Sequence, residues 1–296
     1  MLQPVSFRRT RIAPTPSGYL HAGNILSFVL TAGLARRHGA SILLRIDDLD
    51  IGRVRPAYVD DIFETLAFLG IPWDEGPRNT VDFHRQWSQR LRLNEYERLL
   101  QDLIHTGHLF ACDCTRTRMS GEGKCACPER ALDLSSNSFV WRLLTGTHIR
   151  TLHRDLYKGD VVDSLPPSVE YPILRKRDGD PAYHVACVLD DVSFGVDLIV
   201  RGVDLLDTTQ LQCHLASCLE LDAFSNVTFY HHPLMVDISG RKLSKSAGDG
   251  SVSGLRKAGV LRRDVFGGIC ESYGFSDRPD KWEDLFEIVS SHIGIS

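Results

Sequence analysis

The stretch Arg11-Ile12-Ala13-Pro14-Thr15-Pro16-Ser17-Gly18-Tyr19-Leu20-His21-Ala22-Gly23-Asn24 constrains this chain more than any other. Strand-like residues precede it, from Val5 to Ile12. A helical pattern follows over Asn24–His38, with apolar residues at Ile25, Phe28, Val29, Ala32, Leu34 and Ala35 and a natural stop at Gly39. A strand that feeds a rigid loop and then a helix N-terminus is how α/β proteins build an anion site. Pro14 and Pro16 stiffen the loop without needing backbone donors. Gly18 and Gly23 allow a tight turn or a close approach to a ligand. His21 and Asn24 fall where side-chain donors can face an anion. A second apolar run, Ser41–Ile46, ends in Asp47-Asp48-Leu49-Asp50. The chain thus opens with a β-α-β unit, and residues 14–24 and 47–50 lie at the carboxyl ends of its strands, where parallel sheets bind ligands.

The remainder extends this pattern and interrupts it once. Ala57–Leu69 and Gln86–Ile104 read as two more helices, separated by a break at Pro72-Trp73-Asp74. From Gly107 to Leu165 segments are short and turn residues frequent, with strand-like pieces such as Phe139–Leu144. We read this as an inserted subdomain. The β/α pattern resumes with strand-like runs at Ala182–Leu189 and Val196–Val200, a helix over Thr208–Leu219 and a strand at Val227–Tyr230. Arg241–Gly250 reads as a polar loop, and two short helices near Arg263–Tyr273 and Lys281–Ser291 close the chain. The expected organisation is residues 1–106 and 169–250 as two halves of one α/β domain, 107–168 as the insertion and 251–296 as a short helical segment. At 296 residues the chain can bury a substantial core. No apolar run has the length of a membrane span, and residues 1–11 lack the apolar core of a signal peptide. A cytoplasmic protein with no membrane partner is the expectation. The net charge of −4 does not announce a nucleic-acid binder. An RNA-facing surface has to be local, for example around Arg175-Lys176-Arg177 or Arg256-Lys257 with Arg262-Arg263.

Residues 11–24 resemble the first signature of class I aminoacyl-tRNA synthetases in the form used by the glutamyl group. Thr15 and Ser17 trade the usual Ser and Thr and keep a hydroxyl at both places. Lys242-Leu243-Ser244-Lys245-Ser246 resembles the second signature, the Lys-Met-Ser-Lys-Ser type. Two ammonium groups there suit a leaving pyrophosphate, where negative charge gathers. The resemblance implies a Rossmann-like catalytic domain in which a glutamate carboxylate attacks the α-phosphate of ATP, with Mg2+ accompanying the nucleotide. It assigns His21, Asn24 and Lys245 to the chemistry. It assigns His21, Gly23, Asn24, Lys242, Ser244 and Lys245 to ATP. For glutamate it implies Arg11, with Ile12, Ala13, Pro14 and Thr15 beside it. Arg11 would pair with the side-chain carboxylate, whose geometry a guanidinium matches. Asp47 stands where the family pattern Arg-Ile-Glu-Asp has Glu, and would hold the α-amino group on a shorter arm. Pro181-Ala182-Tyr183-His184 and Val200-Arg201-Gly202-Val203-Asp204-Leu205 resemble two further glutamyl-type segments, which adds Tyr183 and Arg201 to the glutamate contacts. Read without the resemblance, Tyr183 is a half-buried strand aromatic and Arg201 an ion-pair partner of Asp190, Asp191 or Asp204.

Four of the eight cysteines fall within sixteen residues, as Cys112-x-Cys114, ten residues, then Cys125-x-Cys127. Clustered thiols in a cytoplasmic chain argue for metal rather than disulfides. Four thiolates this close can close a tetrahedral structural zinc site, with iron–sulfur ligation as the alternative. Fewer than 50 residues follow Ser246. The chain therefore resembles the truncated glutamyl-queuosine tRNA(Asp) synthetases, whose members carry a zinc site built from Cys-x-Cys, a Tyr and a later Cys. Here no Tyr lies between Cys114 and Cys125, and a second Cys-x-Cys supplies the last ligand. That resemblance implies ATP, L-glutamate and the anticodon stem-loop of tRNA(Asp) as partners of a monomer. A short glutamate–tRNA ligase acting on the acceptor end and an inactive synthetase-like RNA-binding module are the competing readings.

Overall fold

The computed structural model describes residues 6–115, 125–136, 138–145, 149–235 and 250–295. In chain order its principal elements are β1 (Arg9–Ile12), α1 (Ala22–His38), β2 (Ser41–Leu44), α2 (Pro56–Leu69), α3 (Leu93–His105), β3 (Leu109–Cys112), β4 (Val140–Leu143), β5 (Arg150–Asp155), β6 (Gly159–Ser164), β7 (Ile173–Arg175), α4 (Tyr183–Ser193), β8 (Leu198–Gly202), α5 (Leu206–Cys218), β9 (Thr228–His232), α6 (Val252–Lys257), α7 (Arg262–Ser272) and α8 (Trp282–His292). They form two compact units. One comprises residues 1–88, 196–205 and 228–296; the other comprises 89–195 and 206–227. The chain passes from one unit to the other at 88/89, 195/196, 205/206 and 227/228.

The first unit is a parallel sheet in the order β2-β1-β8-β9. Every strand is short and nearly all its residues are buried, as expected for a sheet covered on both faces. The chain leaves β1 for β2 on one side and later returns as β8 on the other. The switch point of the sheet therefore lies between β1 and β8, which is where open α/β sheets form a ligand crevice. Helix α1 is buried from Ile25 to Ala35 over most of its circumference, so it carries apolar residues all round rather than one stripe. It ends with Gly39 in the left-handed conformation, and Arg36, Arg37 and His38 complement the negative end of its dipole.

Gly76 secures the far edge of this sheet. Its φ is +103°, and a Cβ there would sit 2.3 Å from the carbonyl oxygen of Leu44 at the end of β2. Gly76→Ala meets both left-handed strain and backbone overlap, and is expected to cost about 3 kcal/mol. Urea unfolding checks this, and a loss below about 1 kcal/mol would mean the strand end can yield.

The second unit holds a three-stranded antiparallel sheet, β3-β4-β7, and the hairpin β5-β6. Among its helices, α3 and α4 are joined through Asp190, which is fully buried. Its carboxylate accepts from Arg92 Nε and Nη2 at 2.9 Å each, from Gln89 Nε2 at 2.9 Å and from the Tyr96 hydroxyl at 2.8 Å. A buried anion survives only when matched in this way. Burial, with the Asp190 charge beside it, raises the Tyr96 phenol above its ordinary value.

Two expected elements differ. Ala182–Leu189 is not a strand but the front of helix α4, because a short buried apolar run carries no periodicity that separates the two. The expected helix over 86–104 begins only at Leu93; a π turn (Phe83–Trp87) and a 3-10 turn (Gln89–Arg92) precede it, with Ser88 extended between them. The Ser88 hydroxyl donates to Asp48 at 2.5 Å, a tertiary bond that favours that break. No described helix is long and apolar enough to cross a membrane.

Candidate active site and metal centre

The loop after β1 is laced to the loop after β2. Arg45 N–H donates to Ile12 O at 2.9 Å and Asp47 N–H to Pro14 O at 3.0 Å. Ile12 and Pro14 are buried, Ala13 is half-buried and Thr15 is exposed. Residues 12–15 therefore run beside 45–47 at the carboxyl end of the sheet. The loop then enters α1 through His21, the N-cap, in extended conformation. The Asn24 side-chain oxygen accepts the His21 N–H at 3.1 Å, so Asn24 shapes the helix entrance as well as lying in its first turn. The His21 ring rests over Gly23, where an added Cβ would meet ring atoms at 3.2 and 3.3 Å. Gly23 thus leaves the imidazole its place against the backbone.

The two arginines flank the switch point. Arg11 on β1 is 5% exposed and Arg201 on β8 is 4% exposed. The strands are adjacent and parallel, and Arg11 Nη1 donates to Val200 O at 3.4 Å. The Arg201 guanidinium lies over the Phe229 ring, 5.4 Å from its centroid. Two buried guanidiniums in neighbouring strands suit an anionic ligand. Asp190, one of the ion-pair partners considered for Arg201, is instead engaged by Arg92 in the second unit.

Asp47 is 4% exposed and is gripped by Arg45, with Nε to Oδ1 at 2.7 Å and Nη2 to Oδ2 at 3.1 Å. Sequence reading missed this fork, although residues two apart on an extended chain share a face. It also missed His232 at the end of β9. Burial holds that imidazole below the ordinary histidine value. Its Nδ1 faces Pro233 O at 2.8 Å, so Nε2 accepts the hydroxyl of Ser27, 2.7 Å away on α1. Tyr183 belongs to the second unit, where it opens α4 and is 40% exposed rather than a half-buried strand residue. Lys242, Ser244 and Lys245 lie outside the described residues. Beyond them, Ser251 forms a β-bridge with His21 while Val252 N–H donates to Leu20 O at 2.8 Å.

The four cysteines do converge. Cys112, at the end of β3, and Cys114, Cys125 and Cys127 bring their sulfurs within 4.8 Å of one another and can hold one metal ion. The Cys112–Cys125 and Cys114–Cys125 separations are 3.8 Å, and Cys114–Cys127 is 3.6 Å. Phe110 and Val140 complete the small core, with Tyr171 and Ile173 packed against it. Burial works against a thiolate at Cys112, but the Cys114 amide and the Arg142 guanidinium outweigh it and lower its pKa. Burial, reinforced by the neighbouring thiols, pushes Cys114 up to about 12, and burial also raises Cys125. A cation among the four sulfurs would offset the repulsion between thiolates packed this closely.

The chain matches the family model "tRNA synthetases class I (E and Q), catalytic domain" over residues 8–287. It is 37% identical over 243 residues to a glutamyl-Q tRNA(Asp) synthetase of Methylococcus capsulatus, covering 81% of this chain and 76% of that protein. It is 32% identical over 272 residues to glutamate–tRNA ligase 2 of Halorhodospira halophila, covering 86% of this chain but 54% of the relative. The chain thus spans about half the length of that ligase. The crystal structure of a glutamate–tRNA synthetase from Elizabethkingia anophelis superposes with a TM-score of 0.68 at 23% identity, over 82% of this chain and 54% of that one, a likeness of fold. With its first unit a parallel sheet switching between β1 and β8 and its second carrying the four-cysteine cluster, the chain belongs to the class I tRNA synthetases (E and Q), as a catalytic domain with a Rossmann-like fold.

Proposed function

We propose that this protein is an ATP-dependent ligase that activates glutamate as glutamyl-adenylate and transfers the glutamyl group to queuosine in the anticodon loop of tRNA(Asp). The observation that carries the reading is the pair of buried arginines, Arg11 and Arg201, on adjacent strands at the switch point of the sheet. The similarity to glutamyl-Q tRNA(Asp) synthetases across 76–84% of three such proteins supports the RNA target.

A glutamate α-carboxylate oxygen attacks the α-phosphorus of ATP, a new P–O bond forms and pyrophosphate leaves with the electron pair of the broken bond. The chain needs no nucleophile of its own, and its work is alignment and charge stabilisation. Arg11 and Arg201 hold the side-chain carboxylate. Asp47, fixed by Arg45, receives the α-amino group, and Tyr183 completes the amino-acid contacts. His21 and Asn24 at the start of α1 serve the phosphates with Gly23 beneath them, and Lys242, Ser244 and Lys245 serve the departing pyrophosphate. Mg2+ enters with ATP. A nucleophile on the queuosine base then takes the glutamyl carbonyl and AMP departs.

The cysteine cluster holds one structural zinc. A tetrahedral site with sulfur about 2.3 Å from the metal has sulfur–sulfur edges of about 3.8 Å, and three of the edges here are 3.6–3.8 Å. None of the eight cysteines, all of which are among the described residues, forms a disulfide, which suits a reducing cytoplasm.

ATP–pyrophosphate exchange with glutamate, glutamine and aspartate, first without and then with RNA, tests the reading. Exchange with glutamate alone, followed by transfer to queuosine-containing tRNA(Asp) and not to the unmodified RNA, is the expected result. No exchange under any of these conditions overturns it. Arg11→Lys and Arg201→Lys keep the charge but lose the fork. Each is expected to raise KM for glutamate about tenfold or more, a loss of about 1.4 kcal/mol, with KM for ATP little changed. Unchanged glutamate KM in both would remove the arginines from the amino-acid pocket.

A further inference from the structure

Asp61, on α2, is a buried carboxylate at 2% exposure. Its Oδ2 accepts the backbone N–H of Leu20 at 3.1 Å, and its Oδ1 accepts the Thr65 hydroxyl at 3.2 Å. Oδ1 also lies 3.7 Å from Nη2 of Arg256 on α6, and Arg256 pairs with Glu64 as well. Leu20 immediately precedes His21. Its other backbone group is taken by α6, because Leu20 O accepts the Val252 N–H. One residue earlier, the Tyr19 ring stands edge-on to Tyr58 of α2 at 5.0 Å, and the Lys257 ammonium of α6 lies 5.7 Å from that ring. Residues 19–21 are therefore held by both α2 and α6, and Asp61 of α2 contacts Leu20 and Arg256 of α6.

A neutral acceptor would satisfy the Leu20 N–H. A buried negative charge is costly unless a cation answers it, and the cation here is Arg256, on the helix that follows the lysine-bearing segment. We propose that Asp61 is a positioning residue: it fixes His21 through the Leu20 amide and couples that position to α6 through Arg256. The role in activity rests on the reading that His21 serves the ATP phosphates. The coupling rests on the hydrogen bonds and the ion pair alone.

Two substitutions separate the parts. Asp61→Asn keeps a side-chain oxygen for the Leu20 amide and removes the charge that attracts Arg256. Arg256→Gln removes the cation from a partly exposed side chain on another element. Each is expected to speed backbone hydrogen–deuterium exchange over residues 17–24 about tenfold, with the global unfolding midpoint nearly unchanged. Each is also expected to lower kcat for glutamate-dependent exchange about tenfold with the glutamate KM within about twofold. The double variant should lose no more than either single, because both break one connection. Unaltered amide exchange over residues 17–24 in Arg256→Gln overturns the coupling. Faster amide exchange with unchanged kcat in both variants overturns the positioning role. If the unsubstituted protein shows no exchange reaction, the functional reading fails, and hydrogen exchange still decides whether Asp61 joins the loop to α6.

Discussion

Replacing Lys245 with alanine is expected to lower kcat for glutamate-dependent ATP–pyrophosphate exchange by about 10²- to 10³-fold, the size seen when one preorganised donor to a developing charge is removed. KM for glutamate should move far less. The ammonium acts where charge accumulates as pyrophosphate leaves, and a contact stronger in the transition state than in the ground state appears in kcat. The segment that carries Lys245 joins two anchored ends. On one side β9 finishes at His232, whose ring meets Ser27 of α1 at 2.7 Å. On the other, Ser251 bridges His21. Both ends of the segment are thus tied to the first turns of α1, the proposed phosphate site. Steady-state exchange with glutamate and ATP varied independently checks the prediction. Equal losses in kcat and in glutamate affinity would contradict a role confined to the phosphates.

The second large effect belongs to the cysteine cluster. Cys114→Ser is expected to abolish stoichiometric zinc, from one ion per chain to none, and to unfold residues 107–134 locally while ATP binding survives. Cys114 lies 3.8 Å from Cys125 and 3.6 Å from Cys127. Three of the five buried residues of this very small core are cysteines, so little apolar burial remains to hold it without a metal. Structural zinc contributes on the order of 10 kcal/mol to sites of this type, far more than Phe110 and Val140 can replace by burial at about 1.5–3 kcal/mol each. Zinc content by mass spectrometry and limited proteolysis of the segment provide the readouts, and chelation should reproduce the variant. Loss of ATP binding on chelation would show that the metal does more than hold the fold of its own segment.

Local features of this protein could be read from residue order. Arg11 to Asn24 was legible because strand, proline-stiffened loop and helix start are local events, decided by φ restriction, capping and apolar period. The cysteine cluster was legible because its four cysteines lie within sixteen residues, where spacing alone bounds their distance. The helix α4 was not, since a buried apolar run reads alike as strand or helix until its packing is known. The break before α3 was not, since Ser88 is drawn to Asp48, forty residues away. His232 meeting Ser27 and Asp61 holding Leu20 were also invisible in the sequence pattern. Sequence by itself determined the short-range chemistry: the anion-ready loop, the basic Lys242–Lys245 motif and the thiol set. Only the tertiary structure decided which buried carboxylate answers which arginine. Such pairs connect residues from 2 to nearly 200 positions apart, and they form where chain topology brings the groups out of water together and each charge must find its match.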